Sequence, residues 1–101
     1  MELRESFGET VRSIRRIKGL PQGAIGTNQG FISELESGLK SPTLPKIAEI
    51  AKKLELHPIT LLTAAYETMG PESAAELLAK VAIELESLTQ LKTENLKSPK
   101  K

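Results

Sequence analysis

The sequence predicts an all-α protein. Apolar residues recur at steps of three and four along most of the chain, and no stretch alternates with a period of two, as a half-buried strand would. Only 3% of the residues are aromatic, which predicts an aliphatic core. With 101 residues the chain is long enough to form one domain around a single core, followed by a short C-terminal extension.

The first two predicted helices lie on either side of a glycine. The first carries Phe7 and Val11 on its apolar face and ends at Gly19, after a basic last turn of the kind that stabilises helix C-termini. A short second helix is predicted from Pro21, which suits an opening turn, to Gly26, which interrupts it.

The next three helices are marked by their N-terminal caps. The third begins at Thr27 or Asn28, both good N-cap residues, and ends at Gly38. Thr43 caps the fourth helix, and Pro58 occupies the first position of the fifth. Three further residues are predicted to lie in the core: Phe31, Leu35 and Tyr66.

A last helix is predicted after residue 71. Ser73 and Glu76 have the spacing of a capping box, and an apolar stripe then follows at alternating steps of three and four over about two heptads. The stripe consists of Leu78, Val81, Leu85 and Leu88. It packs either on the first helix of the same chain or on a second chain. Residues 97–101 are predicted to form a disordered basic tail.

Composition excludes several classes of protein. The absence of cysteine excludes disulfide scaffolds, thiol catalysis and cysteine-based zinc sites, and no apolar run is long enough to span a membrane. The start of the chain does not have the pattern of a signal peptide, so we expect a cytoplasmic protein. The lone His57 precedes Pro58 and is expected to cap a helix rather than to bind metal. The sequence has no paired carboxylates in an apolar setting, no nucleophile with a base and no phosphate-binding glycine loop. We therefore expect neither an enzyme nor a cofactor site.

Two segments of the chain resemble a known DNA-binding domain. From Phe7 onward, "FGETVRSIRRIKGLPQ" and then "GFISELESGLKSPTLPKIAEIAKKLELHPITLL" resemble the helix-turn-helix domain of the phage Cro and lambda-repressor type, the XRE family, over about two thirds of the chain. The resemblance implies a lambda-repressor-like, five-helix DNA-binding domain over residues 1–70. The apolar stripe predicts an added C-terminal amphipathic helix over residues 71–96, which we expect to be a dimerisation helix. The resemblance also implies that the third helix is the recognition helix.

The sequence departs from this family at one place. The interval from Gln22 to Ser33 is about four residues shorter than the usual family pattern, which is about one helical turn. Such a deletion shortens the second helix by roughly 6 Å and returns its face nearly to phase. We therefore expect the recognition helix to keep its orientation.

The front of the third helix carries the candidates for reading DNA bases. An α-helix fits the major groove of B-DNA with its N-terminal residues at the base edges, and Asn or Gln amides can pair with adenine through two hydrogen bonds. A glycine allows close approach, and a glutamate can accept from the amino group of cytosine. The predicted base-reading residues are Asn28, Gln29, Gly30, Ser33 and Glu34.

A second group of residues is predicted to bind phosphates and fix the position on DNA. Gln22 lies at the start of the second helix, where its side chain and backbone N–H can reach a phosphate, and four polar or basic residues support it. These four are Arg12, Arg16, Lys40 and Ser41. The resemblance further implies a structural ion pair between Arg15 and Glu36.

These features together predict a transcriptional regulator that binds a palindromic operator in double-stranded DNA as a homodimer and represses transcription, without a cofactor or small-molecule substrate. A second chain is the favoured partner of the apolar stripe, since a single small DNA-binding domain seldom buries enough DNA surface to give operator affinity. Two alternatives remain at this level. The chain could be an antitoxin whose last helix or tail also binds a toxin, or a protein-interaction module that no longer binds DNA.

Overall fold

The described part of the chain forms five α-helices. The computed structural model describes the backbone of residues 1–26 and 28–97, and their side chains except those of Gln29, Leu96 and Lys97. No strand occurs in these residues, and the all-α prediction is confirmed. None of the helices in this part of the chain is both long enough and apolar enough to cross a bilayer. The helices are α1 (Leu3–Ile17), α2 (Gln29–Glu36), α3 (Leu44–Lys53), α4 (Pro58–Met69) and α5 (Ala74–Lys97).

Side-chain caps fix where three of these helices begin. The Thr43 hydroxyl accepts a hydrogen bond from the backbone N–H of Lys46 at 3.2 Å at the start of α3. His57 accepts through Nδ1 from a backbone N–H of α4, and Ser73 and Glu76 form the predicted capping box of α5. Local sequence therefore determines these three boundaries.

The short second helix predicted from Pro21 to Gly26 is a single turn of 3-10 helix, Gln22–Ala24. Six residues bounded by proline and glycine are too few to close a run of α-helical hydrogen bonds. The following residue, Ile25, is fully buried in the core. The segment thus keeps its apolar anchor although its helical length is minimal.

The core lies between α1, α2, α3 and α4. It consists of Phe7, Val11, Ile25, Ile32, Leu35, Ile50, Ala51, Leu54, Leu61 and Ala65. Polar contacts add to the packing of α1 on α4: the Ser6 hydroxyl donates to the carbonyl oxygen of Ala65, and the hydroxyls of Thr10 and Thr68 lie 3.3 Å apart. The core is aliphatic apart from one phenylalanine, as the composition predicts.

α1 and α2 meet at Gly8. A Cβ atom at this position would overlap the carbonyl oxygen of Leu35 and lie 3.2 Å from the carbonyl carbon of Glu36. The backbone of α2 therefore rests directly on α1, with no side chain between them. Gly38, with a φ of 79°, then turns the chain out of the C-terminus of α2.

α5 packs on α4 through its first turn and then leaves the core. Leu77 is half-buried, whereas the four stripe residues of α5 are between 44% and 59% exposed, so the stripe does not pack on α1. The prediction of Tyr66 as a core residue is wrong, because its side chain is 45% exposed beside the start of α5. α5 continues through Lys97, one residue into the predicted tail, and residues 98–101 of that tail lie outside the described residues.

Candidate nucleic-acid interface

A buried ion pair fixes α2 against α1. The guanidinium of Arg15 donates two hydrogen bonds to the carboxylate of Glu36, at 2.7 Å from Nε and 3.0 Å from an Nη atom. The other Nη atom donates to the carbonyl oxygen of Leu20 at 2.7 Å. Bidentate pairing of this kind restricts orientation as well as distance. The C-terminal end of α2 is therefore fixed relative to α1 and to the loop after α1, which contains Leu20.

Two of the predicted phosphate-binding residues lie against the same carboxylate. The side-chain amide of Gln22 donates to Glu36 at 3.1 Å, and Nε of Arg12 lies 3.7 Å from it. Burial raises the pKa of Glu36, whereas the hydrogen bonds from Arg15 and Gln22 and the charges of Arg15 and Arg12 lower it. The lowering effects together exceed the effect of burial, so the pKa of Glu36 lies below its usual range. Glu36 is thus an ionised, buried carboxylate with two hydrogen-bond donors, Arg15 and Gln22, and a second positive charge, that of Arg12, nearby.

The pairing fixes which face of α2 is exposed. Ile32 and Leu35 point into the core. Gly30, Ser33 and Glu34, three of the five predicted base-reading residues, lie on the opposite face and are exposed. Their spacing of three and four residues places them on one side of the helix. These three residues give this face of α2 two small side chains and one carboxylate.

The first turn of α2 carries the other two predicted base-reading residues. Asn28 is exposed and caps the helix, its side-chain oxygen accepting from the backbone N–H of Phe31 at 3.1 Å. A Cβ atom at Gly30 would lie 3.3 Å from this oxygen, so the glycine leaves room for the cap. Gln29 is the first residue of α2, but its side chain lies outside the described residues. The cap engages the oxygen of Asn28 and leaves its NH2 group to other partners.

The remaining predicted site residues lie around α2. Glu34 and Lys40 form an exposed ion pair with 3.8 Å between nitrogen and oxygen, which joins a predicted base-reading residue to a predicted phosphate-binding one. Arg16, in the last turn of α1, and Ser41, between α2 and α3, are exposed. The contacts among the site residues thus form two groups, one around Glu36 and one, Glu34 with Lys40, at the outer face of α2.

Lys46 is a further charged residue at this site, and it is not among the site residues predicted from the sequence. Its ammonium lies 5.6 Å from the centre of the Phe31 ring, beside the first turn of α2, and 3.0 Å from the carboxylate of Glu49. The contact depends on how α3 packs against α2, which spacing along the chain does not reveal. Among the described residues, no group of three or more His, Asp or Glu side chains is arranged to hold a metal ion.

Comparisons with known proteins agree with this architecture. No protein-family model matches the chain. The chain is 33% identical over 72 residues to the uncharacterised helix-turn-helix-type transcriptional regulator y4dJ of Sinorhizobium fredii, which covers 67% of this chain and 94% of that protein. The crystal structure of the clp gene regulator ClgR from C. glutamicum superposes with a TM-score of 0.66 at 28% identity, covering 71% of this chain and 99% of that one. The chain therefore belongs to the family of helix-turn-helix transcriptional regulators, which are not enzymes.

Proposed function

We propose that the protein is a cytoplasmic regulator of the Cro and lambda-repressor type that binds a palindromic operator in double-stranded DNA as a homodimer. Repression is the proposed outcome, because occupying a promoter requires nothing beyond binding. No cofactor is part of the proposal. The proposal thus adds three points to the family membership: a palindromic operator, a two-fold symmetric complex and repression.

The observation that carries the proposal is the orientation of α2. The buried pair of Arg15 and Glu36 and the contact at Gly8 hold one face of α2 in the core and leave the other exposed. A helix that enters the major groove needs one exposed face that can approach the bases and a rigidly held position. The face that carries Gly30 and Ser33 meets both requirements.

Base reading is proposed for the front of α2. Asn28 uses its oxygen for the cap, so its NH2 group is the part available to acceptors in the major groove such as guanine O6 and N7 or thymine O4. Pairing with adenine through two hydrogen bonds, the alternative, requires the capping oxygen to be shared. Gln29, Gly30 and Ser33 follow along the groove, and Glu34 accepts from a cytosine amino group once its ion pair with Lys40 opens.

Phosphate binding is proposed for the residues around this face. Arg16 and Ser41 are exposed, and Lys40 becomes available when it leaves Glu34. Arg12 and Gln22 also touch Glu36, so in this proposal they both position α2 and face the DNA backbone. Contacts to phosphate fix the position of a protein on the duplex without reading its sequence.

The proposal is tested by selecting bound duplexes from a random pool. Recovery of one palindrome gives the half-site, its spacing and the symmetry of the complex in a single experiment. Half-sites about one helical turn apart, roughly 34 to 36 Å, are expected for a symmetric dimer. A pool that stays random after several rounds would contradict sequence-specific binding, and recovery of single half-sites would contradict the homodimer.

Two alanine variants separate the proposed roles. Gln29→Ala is expected to relax base preference at one position of each half-site, whereas Gln22→Ala is expected to weaken all sequences alike. Binding of each variant to a library of single-base operator variants measures both effects. Because Gln22 also contacts Glu36, thermal unfolding of Gln22→Ala is measured in parallel, so that lost stability is not counted as lost affinity. Even losses across all sites in both variants would contradict this division of roles.

A further inference from the structure

α4 and α5 leave an apolar groove on the surface of the protein. Its volume is about 200 Å³, and it is lined by Ile59, Leu62, Thr63, Tyr66, Leu77, Leu78 and Val81. The groove opens at its far end onto the rest of the stripe, Leu85 and Leu88, which α4 does not cover. Groove and stripe together form one continuous apolar surface, and contiguous surfaces of this kind mark interaction sites.

The size of this surface matches a small, specific interface. Six of its side chains, Ile59, Tyr66, Leu78, Val81, Leu85 and Leu88, are each about half exposed. They present roughly 500 to 600 Å² on one chain, so two such surfaces facing each other would bury roughly 1,000 to 1,200 Å², near the lower limit for a specific protein interface. A second copy of the chain thus supplies enough apolar area to cover the whole surface.

We propose that this surface binds a second copy of the chain whose α5 runs antiparallel, so that the far end of each α5 covers the groove of the other chain. The proposal rests on the homodimer proposed above and adds its geometry. The two α5 helices would lie side by side, each flanked by its own α4, in an arrangement of four helices. Leu88 of the partner subunit would lie opposite Leu78, over the groove.

The spacing of the stripe supports the antiparallel register. The steps from Leu78 to Val81, Leu85 and Leu88 are three, four and three, which is the same sequence of steps from either end. A two-fold axis beside residue 83 therefore places Leu78 opposite Leu88 of the partner subunit and Val81 opposite Leu85 of the partner subunit. Every residue of the stripe then meets an apolar residue.

A parallel pair is less favourable for two reasons. Lys92 lies on the same helical face as the stripe, so a parallel pair would place it opposite Lys92 of the partner subunit. In the antiparallel pair these two lysines lie about 27 Å apart along the helix axis. A parallel pair would also place the outer half of each α5 beside its copy, away from Ile59 and Tyr66, and would leave the α4 side of the groove uncovered.

Disulfide cross-linking of the full chain tests the register. The chain contains no cysteine, so each introduced cysteine is unique. Leu78→Cys and Leu88→Cys are prepared separately, mixed under reducing conditions to exchange subunits, and then oxidised. We expect a disulfide between the two different variants at least tenfold faster than within either one alone. In the antiparallel pair, identical positions lie about 15 Å apart along the axis, beyond the Cα distance that a disulfide spans.

The control variant is Ile83→Cys, which lies at the level of the proposed axis but on the opposite face of α5 and is exposed. It is expected to cross-link only at the slow rate of random collision. Sedimentation equilibrium of the unaltered chain provides the second readout. A monomer at all concentrations would overturn the homodimer itself. A dimer in which Leu78→Cys or Leu88→Cys links to its own copy, or in which the mixture does not link, would overturn only the antiparallel register.

Discussion

Glu36 is the residue on which the position of α2 depends most. The residue is only 3% exposed, and its carboxylate accepts hydrogen bonds from Arg15 and Gln22. A buried charge is tolerated only when it is paired and hydrogen-bonded, and both conditions hold here. No buried side-chain nitrogen or oxygen in the described part of the chain is without a hydrogen-bond partner.

Removing the charge of Glu36 should destabilise the fold strongly. In Glu36→Gln the Arg15 guanidinium remains buried without its counter-charge, and we expect a loss of about 3 to 5 kcal/mol in the free energy of unfolding. Urea titration followed by circular dichroism measures this loss. Glu49→Gln, which removes a half-exposed ion pair with Lys46, is the control and should change stability by less than about 1 kcal/mol. Equal, small effects of the two variants would show that the buried pair contributes little.

The same carboxylate should make stability depend on pH in the acidic range. Because the pKa of Glu36 is lowered in the folded protein, its carboxyl group binds fewer protons on average there than in the unfolded chain. Its contribution to stability is complete above the usual glutamate pKa, about 4.3, and is lost as the pH falls through the lower, folded value. Urea midpoints between pH 7 and pH 3 should therefore fall more steeply for the unaltered chain than for Glu36→Gln. Parallel curves would contradict this assignment.

The sequence predicts part of this residue-level arrangement. The resemblance to the Cro and lambda-repressor family indicates the pair of Arg15 and Glu36. It does not indicate that Gln22 and Arg12 share the same carboxylate, because these residues are 14 and 24 positions from Glu36 and meet it only through tertiary packing. The capping role of Asn28 is local and follows from its residue type.

At the level of the helices, the contact between α1 and α2 sets the geometry of the candidate nucleic-acid interface. Gly8 lets the backbone of α2 lie directly on α1, and this brings Arg15 of α1 within hydrogen-bonding distance of Glu36 of α2. Between the two helices, the described residues form one 3-10 turn, Gln22–Ala24, which covers little length.

Gly8→Ala should therefore be harmful although alanine is the better helix former. Within an exposed helix this change would stabilise by about 1 kcal/mol. Here the new Cβ would overlap the carbonyl oxygen of Leu35, and the two helices must separate. We expect a net loss of about 1 to 3 kcal/mol in the free energy of unfolding, with weakened DNA binding beyond the loss expected from unfolding alone. Chemical denaturation and duplex titration of the folded variant measure the two effects.

The control for this variant is Glu9→Ala, an exposed position next to Gly8 in α1. It should change stability by less than about 0.5 kcal/mol. If Gly8→Ala were as stable as the unaltered chain, the close approach of α1 and α2 would not be a constraint on the fold.

Helix positions were predictable where the signals are local. Apolar spacing and the caps at Thr43, His57 and Ser73 determine three boundaries, and the structure has these caps. The 3-10 turn and the exposure of Tyr66 were not predictable in the same way. Six residues do not carry enough periodicity to distinguish a 3-10 turn from an α-helix, and burial at the end of α4 depends on the direction in which α5 leaves it.

At the scale of the whole molecule, the chain divides into a compact part and a projecting helix. All ten residues of the buried core lie between Phe7 and Ala65, whereas the side chains of α5 from Leu78 to Asn95 are exposed. The apolar stripe on α5 was predictable from its spacing. Whether α1 covers the stripe was not predictable, because a helical pattern contains no information about the path of the chain in space.

Truncation before Ser73 should therefore separate folding from assembly. Residues 1–72 retain the entire core, so cooperative thermal unfolding is expected to persist. Sedimentation should show a monomer at concentrations where the full chain is a dimer. A monomer contacts one half-site only, and the slope of log affinity against log salt for the operator should fall to about half, because that slope counts the phosphates bound. Ile83→Glu, which adds a charge on the face of α5 opposite the stripe, is the full-length control and should keep both the mass and the slope. If the truncated chain were still a dimer, the dimer contact would lie within the compact part and would not include α5.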